Sequence, residues 1–286
     1  MDGKNVLDTL TATYSSLTKS AKKVADFIFE NKMEAQYMSI TSLAEECKVA
    51  DATISRFCKT LGYDGYSEFK LALAKASGAK VSEVGAGIYD KIDAEDTITT
   101  MAEKLYASDV AAVSQTLHLV DEVAVTRAVQ YMHSAQRVYF FGQGGSGVMA
   151  MEAGARFITA APQFHCIEDS HLQTMAASMC TINDVILFFS YSGATKDMVD
   201  VLRPARERGA KIILVTHFAK SPAAAFADVI LLCGSREGPL QSGSVAAKMG
   251  QLFLIDILFN EFCRVNSAFT DANRESTSNA IAAKLL

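Results

Sequence analysis

The sequence predicts an all-α head joined to an α/β domain, doubly wound around a five-stranded parallel sheet. Three observations carry that prediction. Apolar residues recur at helical spacing through residues 16–75. From about residue 121 the texture changes to short, continuously apolar runs separated by helical stretches of ~10–15 residues, as in a parallel sheet covered on both faces. Between these regions, around Gly78–Gly87, periodicity fails among small residues and three glycines, which reads as a linker. The expected division is a head over residues 1–78, a linker over 79–95 and a second domain over 96–286, in keeping with a chain of 286 residues.

In the head, Leu17, Ala21, Val24 and Ile28 mark a first helix, with Thr18 or Ser20 available to cap it. Leu43, Ala44 and Cys47 share a face of a second helix opened by Thr41 or Ser42. Ile54, Phe57, Cys58 and Leu61 mark a third, which stops at Gly62. Helical periodicity resumes over Asp96–Leu119 through Ile98, Met101, Leu105, Val110 and Val113. The expected strands are Val138–Phe141, Phe164–Ile167, Val185–Phe189, Lys211–Val215 and Val229–Leu232. Right-handed crossovers then place a ligand site beyond the carboxyl ends of the strands, where strand order reverses. The last strongly apolar stretch, Val245–Phe262, reads as a helix that covers the sheet or forms a dimer interface.

Half of the residues are hydrophobic and 21% are charged, which argues against a largely disordered or fibrous chain. No apolar run approaches the ~18–20 residues of a membrane-spanning helix. The N-terminus lacks the pattern of an export signal, and six scattered cysteines with no C-x-x-C pair read as reduced core thiols. A cytoplasmic protein without a metal site or cofactor is expected. The net charge of −5 is uneven: residues 1–80 hold 11 Lys and Arg against 10 Asp and Glu, the remainder 16 against 22.

Residues 40–59, ITSLAEECKVADATISRFCK, have helix-turn-helix spacing. Ala44 is small where two helices cross, and Val49 fills the turn. Opposite Ile54, Phe57 and Leu61, the third helix presents Thr53, Ser55, Arg56, Lys59 and Thr60, hydroxyls and cations suited to base edges and phosphates. Lys19, Lys22, Lys23 and Lys70 could add backbone contacts and make binding salt-dependent. Lys48 occupies the tight turn, at a cost of ~1 kcal/mol if it is left-handed.

Two loops carry the chemistry of the second domain. The first strand runs into Gly142-Gln143-Gly144-Gly145-Ser146-Gly147, with a helix expected near Val148; glycines admit an anion and a helix N-terminus attracts it. The string also satisfies G-x-G-x-x-G, with Glu168 or Asp169 after the second strand, so a dinucleotide fingerprint competes. The third strand ends in Ser190-Tyr191-Ser192-Gly193-Ala194-Thr195, whose hydroxyls suit a phosphate dianion. In strand order 2-1-3-4-5 both loops face one site, which the dinucleotide reading leaves half explained. His171, Gln173, Ser221 and Glu237 are further candidates for its lining, and a Glu and a His could in principle work as acid and base. No G-x-x-x-x-G-K-[ST] string is present.

Taken together, these residues resemble the RpiR family of bacterial transcriptional regulators over nearly the whole chain. The matching segments in the head are Met38–Ile40, Leu43–Glu45, Ala52–Cys58, Leu61–Tyr63 and Glu68–Lys70. Those in the second domain are Gly142–Gly147, Asp169–Gln173, Ser190–Thr195, Ser221-Pro222 and Ala227-Asp228, which resemble a sugar isomerase (SIS) domain. The resemblance implies a DNA-binding regulator of carbohydrate metabolism whose SIS-like domain senses a phosphorylated sugar and helps it form a homodimer or higher oligomer. It implies that Ser146, Ser190, Ser192 and Thr195 hold the phosphate and that His171 touches the sugar; Gly144, Ser221 and Glu237 complete the candidate effector-binding set. Two positions depart from the family pattern: Lys48 replaces a glycine, and Ala50 replaces a serine before the recognition helix, leaving Asp51 as the candidate cap. The alternatives are a sugar-phosphate isomerase or lyase of the SIS type, and a nicotinamide-sensing regulator.

Overall fold

The computed structural model describes residues 5–77, 92–234 and 244–284. They fall into two compact units, one containing 5–77 with 92–104, the other 105–234 with 245–284. Most of the linker expected at 79–95 lies outside the described residues.

The helical unit contains α1 (Val6–Thr13), α2 (Lys19–Ala35), α3 (Ile40–Glu46), α4 (Asp51–Thr60) and α5 (Tyr66–Ser77). Its core gathers Leu10, Val24, Ile28, Leu43, Ile54, Phe57 and Phe69. Phe69 meets the rings of Phe57 and Tyr63 edge-on, each at 5.6 Å between centroids, which fastens α5 to the α4 end. Thr18 caps α2 as expected, its hydroxyl accepting from the Ala21 amide.

Two caps differ from expectation. Ser39, rather than Thr41 or Ser42, opens α3, with its Oγ accepting from Ser42 N at 3.0 Å. The Thr41 hydroxyl instead donates to the Asp51 carboxylate at 2.9 Å and ties α3 to α4. Asp51 is therefore the first residue of α4 and not its cap; the cap position belongs to Ala50, whose side chain can make no such bond. Lys48 has φ +52, so the turn between α3 and α4 does put an L-residue in the left-handed region.

The second unit is built on β1 (Arg137–Gly142), β2 (Phe164–Cys166), β3 (Asp184–Phe189), β4 (Lys211–Thr216) and β5 (Val229–Leu232), all parallel in the order β2-β1-β3-β4-β5. Alternation along the strands feeds two cores. Phe140, Leu187, Phe189, Ile213 and Val215 face one of them; Phe141, Ile186, Phe188, Ile212 and Leu214 face the other. The first core includes residues of α7 (Glu122–Ser134), α8 (Gly145–Phe157) and α11 (Val245–Val265). The second includes residues of α9 (Ser170–Ser178) and α10 (Lys196–Glu207). Every residue of β3 is buried, which is why its sequence after Asp184 is apolar without alternation.

At the amino ends of the strands, Asp184 is fully buried and accepts two bonds from the Arg137 guanidinium, at 2.8 and 2.7 Å, together with the Thr181 amide and hydroxyl. Asp228 similarly accepts from Ile212 N and Arg206. Sequence reasoning missed α1 and the final helix α12 (Ser267–Ala282), which packs Phe269 near Phe262 and anchors Asn273 Nδ2 to the Ala160 carbonyl at 2.8 Å. The helix expected over Asp96–Leu119 is α6 (Ile98–Leu119), with its first seven residues grouped with the helical unit. Among the described residues, no helix is long and apolar enough to cross a membrane.

Candidate functional site

The switch point lies between β1 and β3. Their register pairs Gly142 with Phe189, so the chains leaving both strands start side by side, separated by about one strand spacing of ~4.8 Å. The first chain turns at once into α8, which begins at Gly145, three residues before the expected Val148. Glycine makes the early start possible. Gly144 occupies the cap position at φ +55 and ψ −130, a region that side chains avoid. A Cβ on Gly142 would lie 2.5 Å from the Ser146 carbonyl oxygen, so the loop curls tightly onto itself. Ser146 sits half-buried in the first turn of α8.

The second loop is pinned from behind. Ser190 N donates to the Val215 carbonyl at 3.0 Å, and His217 N and Thr216 Oγ1 both donate to the Tyr191 carbonyl at 3.0 Å. Ala223 N donates to the Gly193 carbonyl at 2.9 Å. Gly193 has φ +59 and lies directly under Ser221; a Cβ there would overlap the Ser221 hydroxyl. The Ser190 and Ser192 hydroxyls accept from Gly193 N and Ala194 N, at 3.2 and 3.3 Å. Thr195 occupies the cap position of α10, exposed and with no side-chain capping bond.

α9 closes a third side of this region. Buried Gln173 donates through Nε2 to the carbonyls of Gly142 and Ile167, at 3.1 and 2.7 Å. His171, two residues earlier in the same helix, is exposed. Glu237 lies outside the described residues. Sequence reasoning also missed Lys248 on α11. Its Cε and Nζ come within 3.5 and 3.9 Å of where a Cβ on Gly145 would stand, which brings an ammonium group to the start of α8. Only the packing of α11 across α8 could have revealed it. Gln143 Nε2, Gln173 Oε1 and Ser221 Oγ are buried around these loops with no hydrogen-bond partner among the described residues. Of the loop hydroxyls only Thr195 is exposed; Ser146 and Ser192 are half-buried, and Ser190 and Ser221 are buried. Helix starts, these hydroxyls and a nearby ammonium are groups that favour an anion.

In the helical unit, α4 buries Ile54, Phe57 and Cys58. Arg56 and Lys59 are exposed on its other face, and Thr53 and Ser55 are half-buried. Lys70, on α5, is half-buried rather than free in solvent, and burial pulls its ammonium down to about 8. The cysteine thiols of this unit are pushed up by burial, Cys47 to about 11 and Cys58 to about 12, and so are poor nucleophiles. Among the described residues, no group of three His, Cys, Asp or Glu is placed to hold a metal ion.

A helix-turn-helix head followed by a doubly wound α/β domain defines a two-part DNA-binding regulator, and comparison with known proteins gives the family. Residues 4–80 match the helix-turn-helix domain of the rpiR family, and residues 131–261 match the SIS domain. An HTH-type transcriptional regulator of Haemophilus influenzae is 31% identical over 277 residues, covering 97% of this chain and 96% of its own. The HTH-type transcriptional regulator HexR of Pseudomonas aeruginosa is 30% identical over 257 residues, covering 89% of this chain and 88% of its own. The structure of Vibrio vulnificus NanR, solved in complex with ManNAc-6P, superposes with a TM-score of 0.88 at 27% identity, covering 98% of this chain and 99% of that one. The chain belongs to the rpiR family of helix-turn-helix transcriptional regulators.

Proposed function

We propose that this regulator senses a phosphorylated sugar at the β1 and β3 loops and reads an operator with α4. The register that pairs Gly142 with Phe189 carries the reading, because it starts both hydroxyl- and glycine-bearing loops at one place. Gly144, Ser146, Ser190, Ser192, Thr195 and Ser221 hold the phosphate, Lys248 balances its charge and His171 meets the sugar. The unpartnered Ser221 hydroxyl and Gln143 amide gain partners on binding, recovering part of the ~1–3 kcal/mol that each buried orphan costs. The structure of NanR with ManNAc-6P supports a phosphosugar as the ligand class. Glu237 enters this reading from the sequence alone.

On DNA, Thr53, Ser55, Arg56 and Lys59 contact base edges and phosphates, and Lys70 supports them from α5. The protein works in the cytoplasm as a homodimer or higher oligomer. The sugar phosphate binds one arrangement of that assembly better and is released unchanged, so its effect is bounded by its differential affinity.

A thermal-shift screen tests the reading. Hexose, pentose and amino-sugar phosphates, N-acetylmannosamine 6-phosphate among them, are compared with their unphosphorylated forms and NAD(H). A ligand at 100 times its Kd adds ~2.7 kcal/mol. The expected hit requires the phosphate and disappears in Ser192→Ala, while Arg56→Ala keeps it and loses DNA affinity. A hit with NAD(H) alone, or an unchanged affinity in Ser192→Ala, overturns the phosphate assignment. Conversion of the ligand to product would make the protein an isomerase or lyase.

A further inference from the structure

The C-terminal half of α6 meets the sheet domain at a joint of unusual closeness. Thr116 is fully buried and sits where α6 crosses both the end of β5 and α11. Its Oγ1 donates to the Ala112 carbonyl at 2.8 Å and accepts from Gly234 N at 2.9 Å. A Cβ on Gly234 would stand 2.5 Å from Gln115 Cβ and 2.9 Å from the Ala112 carbonyl oxygen. One on Gly250 would stand 2.7 Å from Thr116 Oγ1. Gly234 and Gly250 therefore leave no room for a side chain of their own against α6, and the Thr116 hydroxyl bridges α6 to Gly234. Such a contact has no slack: a shift of a few tenths of an ångström in α11 or in the end of β5 must be followed by α6 or must break the bond.

The same two elements lead to the proposed ligand loops. Gly234 follows the last residue of β5, Leu232, by two positions, beyond the carboxyl end of the sheet where the loops lie. Gly250 follows by two residues Lys248, whose side chain reaches Gly145 at the start of α8. α6 in turn includes residues grouped with the helical unit. We infer that the Thr116–Gly234–Gly250 joint is the element that passes ligand occupancy at the β1 and β3 loops into α6. This rests on the phosphosugar reading of those loops. Binding draws Lys248 and the first turn of α11 toward the phosphate, and the joint converts that displacement into a change along α6. Thr116 acts as a positioning residue and touches no ligand.

Amide exchange on the full chain tests it, with N-acetylmannosamine 6-phosphate and glucose 6-phosphate as probes and unphosphorylated glucose as control. In the wild type, a phosphosugar should slow exchange at least three-fold in peptides over 142–147 and 190–195 and also change it in α6. In Thr116→Val the loops should keep their protection and their probe affinity within two-fold, while the response of α6 disappears. Thr116→Ser, which keeps the hydroxyl, should restore it. Unchanged exchange over β3 in each variant shows that the sheet is intact. If α6 is silent in the wild type while the loops are protected, or if Thr116→Val responds like the wild type, the joint is not the coupling element although the ligand site stands. If neither phosphosugar protects the loops, the ligand reading fails and this inference falls with it.

Discussion

Replacing Ala50 by serine should stabilise the helix-turn-helix. Ala50 already holds the extended cap conformation, φ −82 and ψ 153, close to that of Ser39 at φ −76 and ψ 162. In Ser39 that geometry puts Oγ 3.0 Å from the amide three residues on. The equivalent amide in α4 is Thr53, which now bonds only the Ala50 carbonyl, at 2.8 Å. Residue 50 is exposed, so a hydroxyl displaces no neighbour. A serine cap is worth ~1 kcal/mol over alanine. Asp51 already places a negative charge in the first turn, which moves the expected gain toward the lower half of the measured range. A gain of ~1 kcal/mol slows exchange through local opening about five-fold. It raises the Tm of a domain this small by ~4–8 °C. Amide exchange of the full chain, read over 51–60 with β3 as internal control, measures it directly. Ala50→Val is the matching negative, since valine cannot accept the bond. Equal protection in Ala50→Ser and Ala50→Val, or a rise spread equally over β3, would refute the capping argument.

Gly193→Ala should cost about 2 kcal/mol or more, because ~1–2 kcal/mol of left-handed strain adds to an overlap with Ser221; calorimetry should show the loss together with absent phosphosugar binding. Asp184→Asn should destabilise the sheet domain by about 2 kcal/mol, less than for a sealed ion pair because water reaches Arg137, and equilibrium urea unfolding would register it. Burial pushes the Asp184 carboxyl up, but bonds from Arg137 and Thr181 outweigh that and hold it below the usual carboxylate range. Its contribution is therefore present above the unfolded value and is lost as pH falls through the lower folded one. Lys70 has the opposite consequence. Its folded value of about 8 lies below that of the unfolded chain, so between pH 8 and about 10 the native state binds fewer protons and stability rises with pH. Wild type should gain on Lys70→Met across that window in parallel denaturation series, and a flat difference would remove the burial argument.

Strands β3 and β4 were legible because burial on both faces forces continuous apolar runs. Strand ends and helix caps were less legible. Ser39, Thr41 and Ser42 are chemically interchangeable as caps, and only the bond from Thr41 to Asp51 shows which hydroxyl is engaged elsewhere. α8 starts at Gly145 because the backbone can turn there without a Cβ, and glycine gives no propensity signal for a helix start. α12 escaped notice because its sequence, SAFTDANRESTSNAIA, is polar nearly all round; it is held by Phe269, Thr270 and Asn273 rather than by an apolar stripe. The loop residues Ser146, Ser190, Ser192 and Thr195 stood out by type and spacing. Lys248 and the Thr116 joint did not, since lysines and threonines on helices carry no signal of what lies across from them.

The sequence by itself determined the family resemblance, the two-part organisation and the approximate positions of the strands, because hydrophobic period and local motifs are short-range properties of the chain. Tertiary structure decided which residues meet. Gln173 reaches Gly142 across 31 positions, Lys248 reaches Gly145 across about a hundred, and Thr116 bridges to Gly234 across 118. Such encounters depend on how the helices lie over the sheet, and close packing fixes them to within tenths of an ångström that no local pattern encodes.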